Sequence, residues 1–451
     1  MNSVFPPPAR AAHHLSRSQI AVLLIVVALG LGGAAWVANQ GEGTELKAAR
    51  EAIERREFTK ALDLLAKSLK VNPDNAEVHF LMARTARRAA AFKEAQQHLE
   101  ECAHLKGSPE AIVLERQLLQ AQVGELDDVE KPLQALVKKD HPDRLLILEA
   151  LRQGYIESFR LEDAMRCLNQ WLDLKPKEIQ ALLWRAKVMG MMPEEGKNDG
   201  TWTMYFFDAN PKGLPDYQTV LAIDPEQDEA RLHIAQALIE MSSAEDALEH
   251  FQYLEKRKYR KSAVLLGLAR CRSLLGQVQK AEELLDKLLK DDPRNSPALM
   301  ERGRLALQAN ESADAEKWLR KALALDSFDY GSNYYLYLCL TKVGKTEEAK
   351  ECSAKLQRIQ KDRVRMNDLY NKVLKAPRDL APRFELGQIF LQQNRESEGL
   401  RWLGSVLKAE PGHKQSHLAL AEYYSRTNKK DLAQKHRQLA GETGKGRKEP
   451  K

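Results

Sequence analysis

The sequence predicts an all-α, repetitive protein, and three observations predict it. Of its 451 residues 43% are hydrophobic but only 6% aromatic, and Ala, Leu, Glu, Lys and Gln, which favour helices, are used heavily. Short stretches built around an alanine return at a step of 34 residues: Ala247, Ala281, Ala315 and Ala349 are evenly spaced, as are Ala61 and Ala95, and Gly399 and Ala433. One 19-residue run, 20–38, carries no charge. The net charge of +6 is interspersed along the chain, so the composition describes a solvated surface and does not imply nucleic acid.

The elements follow in chain order. Residues 1–19 form a short leading segment. The uncharged run "IAVLLIVVALGLGGAAWVA" at 20–38 reaches ~28 Å as a helix, close to the hydrocarbon thickness of a bilayer, and is expected to be a single transmembrane span. The competing reading is a secretory signal peptide, because Gly32, Gly33, Ala34 and Ala35 end the run, although it exceeds the usual apolar region of about 7–15 residues. Arg10 and Arg17 before it, with Glu42 and Glu45 after it, favour an exported body; Lys47, Arg50, Arg55 and Arg56 blunt that asymmetry without deciding it, since long domains translocate largely regardless of charge.

The repeat occupies 42–441. Its helix-like stretches read "KALDLLAKSLKVNP" at 60–73, "DAMRCLNQWLDLKP" at 163–176, "KAEELLDKLLKDDP" at 280–293 and "DAEKWLRKALALDS" at 314–327. Two antiparallel helices approach closely only where both crossing positions are tiny, and large apolar residues three and four away fill the flanks. Ala235 with Ala247 and Phe251, Ala269 with Ala281, Leu285 and Pro293, Gly387 with Leu403 and Pro411, and Ala421 with Ala433 and Ala440 all fit that need.

In these residues and this period the sequence resembles the tetratricopeptide repeat (TPR) family, whose 34-residue unit is a helix–turn–helix. The resemblance implies a right-handed superhelical solenoid of about eleven units with a concave ligand face. Units at 42–75, 76–109, 145–178, 228–261, 262–295, 296–329, 330–363, 380–413 and 414–441 carry the pattern. The unit at 110–143 is degraded, with Gln117 and Val129 at the small positions, and Tyr337 stands where a small residue belongs in 330–363.

Two interruptions break the period. After the ninth unit about 30 residues run without a breaker, with Cys352, Leu356, Ile359, Met366, Tyr370 and Val373 on one stripe interrupted by Arg363. This is either an overlong helix that spaces the next unit, with its extra turns at about 364–379, or a self-association seam. In the fifth unit the closing Pro225 comes 15 residues late, defining an insertion at about 191–213 between a helix ending near Gly190 and one beginning near Pro215. It carries Trp202, Tyr205, Phe206 and Phe207, either a plug folded onto the array or a recognition loop. Residues 442–451 read as a basic, disordered tail.

No catalytic constellation is found: the chain lacks HExxH and GxSxG, and no enzyme activity, cofactor or metal is expected. "HKQSH" puts His413 and His417 four apart, a geometry that can hold zinc but has no third ligand nearby. "VGKTEE" at 343–348 has Cys339 where a phosphate loop needs glycine. The five cysteines, 102, 167, 271, 339 and 352, make no CxxC and read as packing residues.

What remains is a surface. The resemblance places ligand-facing side chains at five places of each first helix, which here gives Phe80, Arg84, Arg87, Arg88, Leu232, Gln236, Leu266, Arg270, Met300, Arg304, Tyr334 and Leu338. An apolar groove with basic points suits an extended protein or peptide partner carrying acidic groups. It does not reproduce the Lys/Asn carboxylate clamp of chaperone-binding TPR proteins, and its 34-residue step is not the 35-residue unit of RNA-reading helical repeats. The expected function is a membrane-tethered, extracytoplasmic scaffold; the alternative is a non-catalytic subunit of an envelope polysaccharide-export or secretion complex.

Overall fold

The structure is a computed structural model that describes residues 44–193 and 211–441. The run at 20–38, the tail at 442–451 and the aromatic residues Trp202, Tyr205, Phe206 and Phe207 lie outside the described residues. Among those described, no helix is long and apolar enough to cross a membrane.

The described chain contains 22 α-helices and no strand, and ten consecutive pairs of them pack as hairpins. In the first compact unit, which ends at Ala121, these are α1 (Thr44–Glu54) with α2 (Phe58–Val71), α3 (Ala76–Arg88) with α4 (Phe92–His104), and α5 (Pro109–Gln122), whose last residue opens the second unit. The second unit runs through α6 (Glu130–Lys138), α7 (Arg144–Glu157), α8 (Leu161–Leu174), α9 (Ile179–Met191) and α10 (Leu214–Ile223). It continues with α11 (Asp228–Glu240), α12 (Ala244–Lys256), α13 (Lys261–Leu274), α14 (Val278–Asp291), α15 (Ser296–Gln308), α16 (Ser312–Leu325) and α17 (Tyr330–Lys342). The long α18 (Thr346–Lys375), α19 (Ala381–Gln392), α20 (Glu396–Ala409), α21 (Lys414–Arg426) and α22 (Lys430–Leu439) complete it.

The period is built into the backbone. After the first helix of a repeat one residue sits in the left-handed region: Arg56, Ala90 and Gly124, then Ser242, Gly276, Asn310 and Gly344, then Asn394 and Asn428, each 34 residues after the last within its series. The next amide closes the first helix by bonding five residues back, as Ala91 N to Ala86 O at 2.8 Å and Lys429 N to Tyr424 O at 2.8 Å. These bonds satisfy carbonyls the helix end would otherwise leave open. In the hairpin of α7 and α8 the residue in that place is Phe159, with φ +59°, a costly conformation for an aromatic side chain.

Small residues at the crossings allow the helices of a hairpin to touch. Ala61, Ala95, Ala164, Ala247, Ala281 and Ala315 are completely buried. A Cβ added to Gly303 would stand 2.6 Å from Leu319 Cγ, and one added to Gly387 would stand 2.6 Å from Leu403 Cγ. A second repeated contact ties each hairpin to the chain entering it. The side chain six residues after the hairpin boundary bonds back to that boundary's carbonyl: His79 to Pro73 (2.9 Å), Arg231 to Pro225 (2.7 Å), Asn333 to Ser327 (3.1 Å), Arg383 to Pro377, and His417 to Pro411 (2.9 Å).

Both interruptions appear where the period breaks. After α9 the chain leaves in an extended conformation at Met192 and returns at Pro211 as a 3₁₀ turn running into α10, with Pro215 in the first turn. The helix α18 is continuous over 30 residues. Its stripe is not free for self-association: Met366, Leu369, Tyr370 and Val373 are buried with Leu386, Phe390 and Trp402 against Phe159. Phe159 stacks on Trp402 with centroids 4.8 Å apart and planes 9° off parallel, the Arg383 guanidinium lies 4.7 Å from the Phe159 ring, and the Tyr370 hydroxyl donates to Met191 O at 2.9 Å. Lys408 also reaches the Val123 carbonyl. The later hairpins of the second unit therefore dock onto its earliest ones, and the long helix provides the reach.

Candidate interaction surface

The expected groove residues divide into three groups. Leu232 is core, packed with Ala235, Ala247 and Phe251, and so cannot line a groove. Arg87 is completely buried, and so is Glu115, which it pairs with; it too is removed from any ligand face. The remaining residues stay at least partly accessible. Leu266 and Met300 pack half-buried on the core around Leu265, Ala298 and Leu299. Tyr334 is 40% exposed. Leu338, Phe80 and Gln236 are intermediate, and the Gln236 side-chain oxygen is buried without a hydrogen-bond partner.

The basic points are occupied from within. Arg84 Nε donates to Glu115 at 3.0 Å, and Arg87 donates to the other oxygen of the same carboxylate. Arg270 Nε donates to Glu301 Oε1 at 2.9 Å while Arg304 Nε donates to Oε2 at 2.8 Å, and Arg304 Nη2 reaches Ser273 Oγ at 2.8 Å. Arg185 makes a bidentate pair with Asp216 at 2.7 and 2.8 Å. In all three cases the acid lies 31 residues after the arginine, on the next hairpin for Arg84 and Arg270 and on the second helix of the same hairpin for Arg185. Arg88 instead lies over Phe58, 4.8 Å from its centroid. The carboxylates expected of a partner are thus supplied by the chain, and these arginines staple its helices to one another.

Sequence reasoning missed the acids Glu115 and Glu301 and the aromatic cluster that flanks Tyr334. Tyr330, 37% exposed, stacks parallel to Tyr334 with centroids 6.3 Å apart, because the two stand four apart and one turn separates them on α17. Tyr335 meets Tyr334 edge-on at 5.4 Å, and burial pushes its hydroxyl pKa up. The Arg363 guanidinium of α18 lies 5.0 Å from the Tyr330 ring, beside the exposed Val364. The "NYYLYL" run held the signal: aromatics at a helix start on the ligand-facing side. Rings with restricted side chains and open faces make low-entropy contact area.

The motifs set aside for chemistry resolve as structure. His413 caps α21, its Nδ1 accepting from Ser416 N at 3.2 Å. His417 is buried, 5% exposed, and bonds to Pro411 and His436; it is not a surface partner of His413. Among the described residues no group of three His, Cys, Asp or Glu is arranged to hold a metal. All five cysteines are free, and burial pushes the Cys271 thiol up to about 11 and Cys167 up to about 12, which leaves little reactive thiolate.

Two family models described as tetratricopeptide repeat match, one over 275–330 and the other over 52–104 and 242–301. A CTR9 homolog of Arabidopsis thaliana is 38% identical over 78 residues, so the match takes in 17% of this chain and spans only 7% of that protein. Among solved structures, PilW, described as a widely conserved type IV pilus biogenesis factor, is 21% identical over 48% of this chain and 92% of its own, with a TM-score of 0.39. Human IFIT1, solved as a dimer with m7Gppp-AAAA, is 15% identical over 81% of this chain and 89% of its own, with a TM-score of 0.37. Tetratricopeptide repeats are thus matched over 52–104 and 242–330.

Proposed function

We propose that this chain is a non-catalytic scaffold that holds a protein or peptide partner on the ligand-facing side of α13, α15 and α17, tethered to a membrane by residues 20–38 with the body exported. The observation that carries the reading is the exposed pair Tyr330 and Tyr334, continued by the half-buried Met300, Leu266 and Leu338. Tandem tetratricopeptide repeats serve as interaction scaffolds because stacked hairpins present one continuous face. Aromatic anchors beside apolar area are what a binding centre needs. Since Glu301 already engages both Arg270 and Arg304, the anchor is aromatic and apolar, and acidic groups on the partner are secondary.

The test uses the full chain in membranes with a photocrosslinking residue at Tyr334, 40% exposed, and at Val71 as a more accessible control, 86% exposed. The expected result is a discrete crosslinked protein from position 334 alone, weakened by Tyr330→Ala. Identical patterns from both positions would refute the surface. Deleting 1–43 is expected to move the protein from the membrane to the soluble fraction, and protease protection of the body in sealed vesicles reads its side.

A further inference from the structure

Two histidine pairs occupy the same slot in different repeats. His79 on α3 and His98 on α4 face each other with Nδ1 to Nδ1 at 3.0 Å, and His417 on α21 and His436 on α22 do the same at 3.0 Å. In both, the first histidine's Nε2 lies 2.9 Å from a proline carbonyl. A carbonyl only accepts, so that Nε2 carries the proton and the Nδ1 of the neutral ring is an acceptor. The second histidine must then donate its own Nδ1–H. One further proton fits, on the outer Nε2 of His98 or His436. A second does not, because two N–H groups on two adjacent cations would point at each other across 3.0 Å. The repeat of α11 and α12 fills the slot differently but with the same sense: Arg231 donates to Pro225 O and faces His250 Nδ1 at 3.3 Å, so His250 must stay an acceptor.

We propose that these pairs are acid-labile clasps between the two helices of a repeat, and that the His417–His436 clasp releases α22, the last of the described helices, on acidification. That helix covers an apolar cluster: Ala433 packs with Leu391, Leu403, Leu420, Tyr423 and Tyr424, and the His436 ring stacks on Tyr424 at 5.6 Å. Its release would uncover that apolar cluster. The groups facing the clasp are His417 and Tyr424 from α21 and Lys435 from α22 itself. Facing His98 are His79 from α3 and Glu94 and Glu101 from α4; facing His250 are Arg231 from α11 and Asp246 and Glu249 from α12.

The sign follows from proton counting. The open pair binds two protons below the ordinary histidine value of ~6.5, and the closed pair binds at most one. Burial, then the charge of the facing histidine, holds His98 and His436 below their ordinary value. Closure is therefore complete above about pH 6.5 and weakens as pH falls below it. At pH 5.5 an excess of one proton in the open state raises the open fraction about tenfold.

Hydrogen–deuterium exchange of the full chain at pH 7.5 and 5.5, corrected for intrinsic rates, measures this on peptides covering 430–441. The expected result is about a tenfold rise in opening for the wild type and little change in His436→Asn, whose amide can either donate to or accept from His417. A flat wild-type response, or the same rise in His436→Asn, overturns the proposal. If the variant does not fold, an NMR titration of the wild type serves: uptake of one proton by the pair down to pH 5.5 supports the clasp, and full titration of both rings near pH 6.5 with α22 still docked refutes it.

Discussion

Glu301 holds two arginines at once, and that single carboxylate shows how residues on one face can be spoken for before any partner arrives. Its side chain is 10% exposed, with Arg270 at 26% and Arg304 at 18%, so the three charges are largely withdrawn from water. Glu301→Ala would leave both guanidinium groups half-buried without their acceptor, at a cost on the order of 1–3 kcal/mol. Urea unfolding followed by circular dichroism is expected to show that loss with unchanged helix content. Glu301→Gln, which keeps two polar atoms in place, should cost less; equal losses would assign the effect to packing. The 34-residue step puts Arg270 and Arg304 at equivalent places of successive repeats. It did not tell what lies across from an arginine, because the acid sits 31 residues on, on another helix. The pattern was present in the sequence as Arg84 with Glu115, Arg185 with Asp216 and Arg270 with Glu301, but Glu115 belongs to the repeat whose signature is worn and Asp216 follows an insertion.

At the scale of the helix, the crossings were the most legible feature, because close approach permits few residue types. Gly303 and Gly404 make the contrast testable. A methyl at Gly303 would press on Leu319 at 2.6 Å, whereas one at Gly404 on α20 meets nothing within 4 Å. Gly303→Ala is expected to lower stability by about 1–3 kcal/mol through overpacking. Gly404→Ala should be neutral or stabilising by up to about 1 kcal/mol, since alanine restricts the unfolded chain and favours helix. Thermal melts of the two variants should move in opposite directions, and a shared downward shift would contradict the crossing geometry. The long α18 was legible as a helix with an apolar stripe, but its cover was not. Phe159, which receives that stripe, is a turn residue some 200 positions earlier in a place that elsewhere holds Gly, Asn, Ser, Ala or Arg. Nothing local to either segment records the other.

On the largest scale, the second unit departs from what a repeat array implies. In a simple array each repeat touches only its neighbours, so stability is a sum of local terms and the ends fray first. Here Tyr370 bonds to Met191 across 179 residues and Lys408 to Val123 across 285, while Phe159 and Trp402 stack in a shared core. These contacts couple the turn between α7 and α8, and the end of α9, to α18, α19 and α20, so opening one side of the core uncovers the other and the unit should unfold more cooperatively than its repeat count suggests. Trp402, 2% exposed, is the residue to remove: Trp402→Ala is expected to cost about 3–5 kcal/mol. The decisive readout is where the loss appears. If the core couples both sides, hydrogen exchange quickens in α7 and α8 as much as in α19 and α20, and the urea transition of this unit broadens as its slope falls. Faster exchange confined to α19–α22, with α7 and α8 unchanged, would mean that the second unit is an ordinary array whose later repeats merely rest on its earlier ones.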